Sequence, residues 1–221
     1  MKIRTLEHLL DTIDSETAWR KRELTAIKAN VNAARSFIKE TAMRSGIALL
    51  YAHWEGAIKN IATAYLEYVS NLGLPYKNLK TNFLAISVRD SLNLFSDSKK
   101  STLHTLILKE MFEKFEQRSK IPQNNIIKTG SNLNSDIFKE IMSCIGLDCN
   151  MYEVFYNFID EVLLNMRNKI AHGEKLVALS LDEKRYYEIH QKVFNLIVMF
   201  ANQVSNAAVL KEYLNITKMV S

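Results

Sequence analysis

Glycine and proline are scarce, with six and two in 221 residues. They supply most tight turns and helix breaks, so their scarcity excludes a fold of many short strands and leaves few, long helices. Cys144 and Cys149 are the only cysteines. Their C-x4-C spacing lacks the second ligand pair of a zinc site, and no secretory context argues for a disulfide. No run of 18 or more apolar residues is present, and Met1-Lys2-Ile3-Arg4 leads into a charged segment rather than an apolar signal core. A cytoplasmic protein without membrane spans is expected. A Gly-rich phosphate loop, an HExxH pair and an acidic metal triad are also missing, which removes the ATPase and metallohydrolase readings and any expectation of a metal or cofactor.

The composition that remains is that of a globular protein: 48% hydrophobic and 24% charged, in a chain long enough for a sizeable core. The net charge of +5 and pI near 9.1 suit an anionic partner, and suit a solvated helical surface equally well.

Apolar periodicity sets out the helices. Ile3, Leu6, Leu10, Ile13, Thr17, Arg20, Leu24, Ile27, Val31, Ala34 and Ile38 recur in steps of three and four, a heptad-like seam weakened at Thr17 and Arg20. A helix over that span is roughly 50 Å long at 1.5 Å per residue. It either breaks near Asp14-Ser15 or reaches past the bundle, as a core helix or as a dimerisation arm. Residues 1–40 are therefore set apart from a helical domain at 41–221. A second helix from Thr41 to Asn71 buries Ile47, Leu50, Trp54, Ile58, Ile61, Tyr65, Tyr68 and Leu72. Shorter helices are expected at Asn82–Phe95 and Thr102–Glu116, with Phe83, Ile86, Leu94, Leu106, Leu108, Phe112 and Phe115 in the core. The polar stretch from Arg118 to Ser135 reads as a loop, in which Lys120 and Lys128 are candidate RNA contacts. After a helix from Asn134 to Cys144, an unbroken stripe of Met151, Val154, Phe155, Phe158, Ile159, Val162, Leu163, Met166 and Ile170 predicts one long helix. Ser180 and Glu183 form a capping box for the last helix, whose buried face is Tyr186, Ile189, Val193, Leu196, Ile197, Phe200 and Val204.

Chemistry concentrates where the apolar run ends, at Arg167-Asn168-Lys169-Ile170-Ala171-His172-Gly173-Glu174. Arginine presents a planar fork of donors to a phosphate and stays charged. Histidine exchanges protons near neutrality. The two lie about 140° apart on an ideal helix, so one copy is poorly arranged to close on one phosphate. Arg185 and His190 repeat the spacing but sit mid-helix without the polar residue and the glycine. Glu55 and Lys59 lie one turn apart on the second helix, at the spacing of a surface ion pair.

Arg167-x4-His172, with Asn168 after the arginine and Gly173 after the histidine, resembles the Arg-x4-6-His signature of ribonuclease-type HEPN domains. Tyr51-Ala52-His53-Trp54-Glu55-Gly56-Ala57-Ile58-Lys59, Ser131-Asn132-Leu133 and Ile145-Gly146-Leu147 resemble the bacterial MAE-type subgroup of that family. The resemblance implies an all-α, antiparallel HEPN-like bundle, here with a long N-terminal helix and extra helices. It implies a metal-independent endoribonuclease of a toxin or antiviral defence system. RNA would be the substrate, and a homodimer would build a composite site, with an antitoxin or defence protein as a further partner. Arg167 and His172 would be catalytic, Asn168 and Glu55 supporting, and Lys169 an RNA contact. A non-catalytic bundle that binds RNA or protein is the alternative. Toxins paired with a nucleotidyltransferase carry a tyrosine two positions after the histidine, where this chain has Glu174.

Overall fold

The computed structural model describes residues 2–122, 126–174 and 181–215, the Phe37 side chain aside. The described residues form eight α-helices and no strand, an all-α bundle as the sequence predicts.

Three long helices make the core. Helix α1 (Leu6–Ala33) and α2 (Ser36–Leu72) are an antiparallel pair joined by two extended residues. The last helix, α8 (Glu183–Val209), packs against both. Helix α1 runs straight through Asp14-Ser15 and ends at Ala33, so the seam's last member, Ile38, is exposed at the start of α2. Leu9, Ile13, Thr17, Arg20, Leu24, Ile27 and Val31 are buried. The Thr17 hydroxyl and the terminal nitrogens of Arg20 find partners, while the buried Arg20 Nε has none among the described residues. Thr17 donates its hydroxyl to the Ile13 carbonyl at 2.7 Å, and Arg20 bonds Glu16 at 2.9 Å and the His53 carbonyl at 3.3 Å. A side chain at Gly56 would come within 3.0 Å of the Arg20 guanidinium, so this mid-helix glycine makes room for an arginine.

The predicted stripes of α2 and α8 are buried along their length, apart from half-buried Leu72. Helix α8 is capped by Asp182, whose carboxylate accepts the Arg185 N–H at 2.7 Å. Glu183 is its first residue and pairs with Lys39, while Ser180 lies outside the described residues.

The middle of the chain departs further from expectation. The first short helix divides at Val88 into α3 (Thr81–Ser87) and α4 (Arg89–Asp97). Helices α4 and α5 (Ser101–Glu116) form an edge hairpin in which only Ile107 is buried. Leu94, Leu106, Leu108 and Phe112, expected in the core, are exposed because no further layer covers the hairpin; Phe112 is 74% exposed. The polar stretch after α5 lies against the bundle, with Ser119, Ile121, Ile127, Thr129 and Leu133 buried. Helix α6 (Ser135–Ile145) then leads to the motif.

The predicted long motif helix is three helical types in series. Asn150–Phe155 is a 3-10 helix, Phe158–Leu164 a π-helix, and Asn165–Ala171 (α7) an α-helix. A stripe drawn at α-helical period goes out of phase there. Met151 and Val154, expected in the core, are 50% and 82% exposed, while Tyr152 takes the inward place.

Candidate active site

Helix α7 presents the motif. Met166 is buried beneath it and Ile170 packs on the core, which leaves Arg167, Asn168 and Lys169 half-buried at its edge. The helix ends in a Schellman cap: the Glu174 N–H reaches the Lys169 carbonyl and the Gly173 N–H the Ile170 carbonyl, both at 3.0 Å. That cap requires a left-handed residue, and Gly173 has φ +80°. The His-Gly dipeptide is thus the helix terminus itself. It exposes His172 at the tip, where its side chain has no hydrogen bond among the described residues.

Arg167 is held firmly. One terminal nitrogen donates to Asn168 Oδ1 at 2.7 Å and to Asn132 Oδ1 at 3.4 Å, and the other to the Ser131 carbonyl at 2.9 Å. The guanidinium lies 4.8 Å from the centre of the Tyr51 ring, within cation–π range. Three bonds leave two of the five guanidinium N–H donors for a ligand. That is enough for one fork onto a phosphate.

Tyr51 is the hub that the sequence did not assign. Its buried hydroxyl accepts the Leu133 N–H at 2.6 Å and feels the charge of the Glu55 carboxylate. Burial, reinforced by the Glu55 charge and opposed by the Leu133 N–H and by Arg167, pushes its pKa up to about 12. It is therefore neutral and no base at physiological pH. Glu55 makes no ion pair with Lys59 or Arg167 among the described residues, and its charge acts on the Tyr51 hydroxyl. A second clasp ties the π-helix to the same neighbourhood, where Asp160 accepts the Ser135 backbone N–H at 2.7 Å and the Ser135 hydroxyl.

The structure therefore gathers Arg167, Asn168, Glu55, Tyr51 and Ser131-Asn132-Leu133, with Lys169 and His172 on the same short helix. Lys120 is elsewhere: it is held by the Tyr76 hydroxyl beside the far end of α2, where Ser70 bonds Ile121. That level is roughly 28 Å along the helix from Tyr51 at 1.5 Å per residue. Lys128 lines a groove against α6. Arg185 is exposed and His190 is buried against the Leu24 carbonyl at 2.8 Å, so the second Arg-x4-His spacing builds no site. The Ser131-Asn132 pair ahead of Leu133 was the available signal for the missing partners, but only the fold reveals that it receives the arginine.

A helical bundle that offers an anchored arginine and an exposed histidine at one helix end has the form of the HEPN class. The chain belongs to the RiboL-PSP-HEPN family, which it matches over residues 15–206. Searches of curated proteins and of solved structures each returned no match. HEPN proteins are typically ribonucleases, and no described helix here is long and apolar enough to cross a membrane.

Proposed function

We propose that the chain is a metal-independent endoribonuclease in which two copies bring Arg167 and His172 to one composite site. The observation that carries this reading is the anchoring of Arg167: four neighbours fix its plane while two donors stay open, and the same helix ends at an exposed histidine. An arginine so immobilised is preorganised for a developing negative charge.

In the reaction, the 2′-hydroxyl of RNA loses its proton to a histidine and forms a bond to the adjacent phosphorus. The bond from phosphorus to the 5′-oxygen breaks, and that oxygen takes a proton from an acid, the His172 of the other copy. The products are a 2′,3′-cyclic phosphate and a free 5′-hydroxyl. Acid–base transfer of this kind contributes about 10² to 10⁴-fold. Asn168 holds Arg167, Glu55 supports it through Tyr51, and Lys169 adds charge toward the RNA backbone. Lys120 and Lys128 lie on other parts of the surface and are not needed for the reaction.

The exposed His172 side chain, without a hydrogen bond among the described residues, favours one other reading, a non-catalytic bundle that binds RNA or protein. Incubating RNA with the wild type, His172→Ala and Arg167→Ala separates the two. Loss of cleavage in both variants supports the enzyme, and equal RNA decay in all three contradicts it. In a toxin or defence setting, expression slows bacterial growth and either substitution relieves the effect.

A further inference from the structure

A groove lies away from the motif, between α3–α4 and α6. It encloses about 630 Å³, within the range of about 300–1,000 Å³ that small ligands occupy. Its floor is apolar: Ile86, Ile126, Ile137 and Ile141 line it. Two cations stand at its rim without an ion-pair partner among the described residues, Arg89 at the start of α4 and Lys128 opposite. A third, Lys139, is already paired with Asp136 at 3.0 Å, which leaves Glu140 as the one unpaired acid of the lining. Burial raises the thiol pKa of Cys144 at the groove wall, with the Glu140 charge adding and the Arg89 charge opposing. An apolar floor with two unpaired cations against one unpaired acid favours an amphipathic anion.

We propose that this groove binds a small amphipathic anion, with Arg89 and Lys128 holding the charged group and the isoleucines its aromatic or aliphatic body. The stretch that carries Lys128 continues through Gly130 to Ser131 and Asn132, the acceptors of Arg167, so the occupant rests on the segment that fixes the arginine.

The test uses 8-anilinonaphthalene-1-sulfonate, an aromatic body with one sulfonate, titrated into the full chain without RNA. Its outcome is thus separable from that of the nuclease reading. Saturable single-site fluorescence is expected, weakened about tenfold by Arg89→Glu and abolished by Ala85→Trp, which fills the groove from exposed α3. Phe112→Ser, on the uncovered face of α5, leaves binding unchanged. Laurate and adenosine monophosphate, added as competitors, distinguish an alkyl carboxylate from a nucleotide phosphate, and displacement by either supports the assignment. Unchanged affinity in both groove variants overturns it, as does loss of binding in Phe112→Ser or displacement by neither competitor.

Discussion

Four neighbours converge on Arg167, and each is open to test. Tyr51→Phe keeps a ring beneath the guanidinium but strands the Leu133 N–H. An unsatisfied buried donor costs about 1–3 kcal/mol, so a urea melt should show a loss of that size. Tyr51→Leu also removes the cation–π contact, worth about 0.5–2 kcal/mol, and RNA cleavage should fall about tenfold below that of Tyr51→Phe. Equal rates in the two variants would show that the ring does not position the arginine. Arg167→Lys should not restore activity, because an ammonium can neither fork onto a phosphate nor lie flat on a ring. The sequence displayed Arg167, Asn168 and His172 openly, since one helix end holds all three. It could not display Tyr51, whose hydroxyl meets a backbone amide 82 residues away.

Elements were legible wherever one helical period persists. The stripes of α2 and α8 are continuous α-helix, and the buried residues fall where the spacing puts them. Met151 and Val154 escaped because 3-10 and π turns change the angle per residue. The α4–α5 hairpin escaped for another reason: amphipathic spacing shows that a face is apolar without showing that anything covers it. The docking of α1 carries two histidines that a pH series can address. His53 on α2 faces Glu23 at 3.2 Å and Arg20 at 3.4 Å, and burial holds its pKa below the usual value, with Arg20 adding and Glu23 opposing. His190 on α8 bonds the Leu24 carbonyl, and burial lowers it too, with Lys28 adding and that bond opposing. Both are neutral in the folded chain, whereas the unfolded chain takes up protons below about pH 6.5. Stability is therefore present above that pH and is lost as pH falls from about 6.5 through the lower folded values. The melting temperature should drop between pH 7 and pH 5, and His53→Gln with His190→Gln should flatten most of that drop; an equal slope in the double variant would assign it elsewhere. Arg20→Ala, which removes a buried charge-assisted donor from Glu16 and from the His53 carbonyl, should cost about 3 kcal/mol in the same melts.

At the scale of the whole molecule, one copy offers an anchored arginine and, about 140° round the same short helix, a free histidine. The account therefore needs two copies, and activity should rise with dimer formation in sedimentation runs over a concentration series. A chain that stays monomeric at micromolar concentration and is still fully active contradicts the composite site. The central claim, that RNA supplies its own nucleophile while Arg167 and His172 supply the charge and the protons, is tested most directly on an RNA with one 2′-deoxy nucleotide at the scissile position. The account predicts that the all-ribose RNA is cut in excess EDTA, leaving a 2′,3′-cyclic phosphate and a 5′-hydroxyl, and that the deoxy substitution stops that cut. Cleavage that requires magnesium or manganese and proceeds equally at the deoxy position would contradict it.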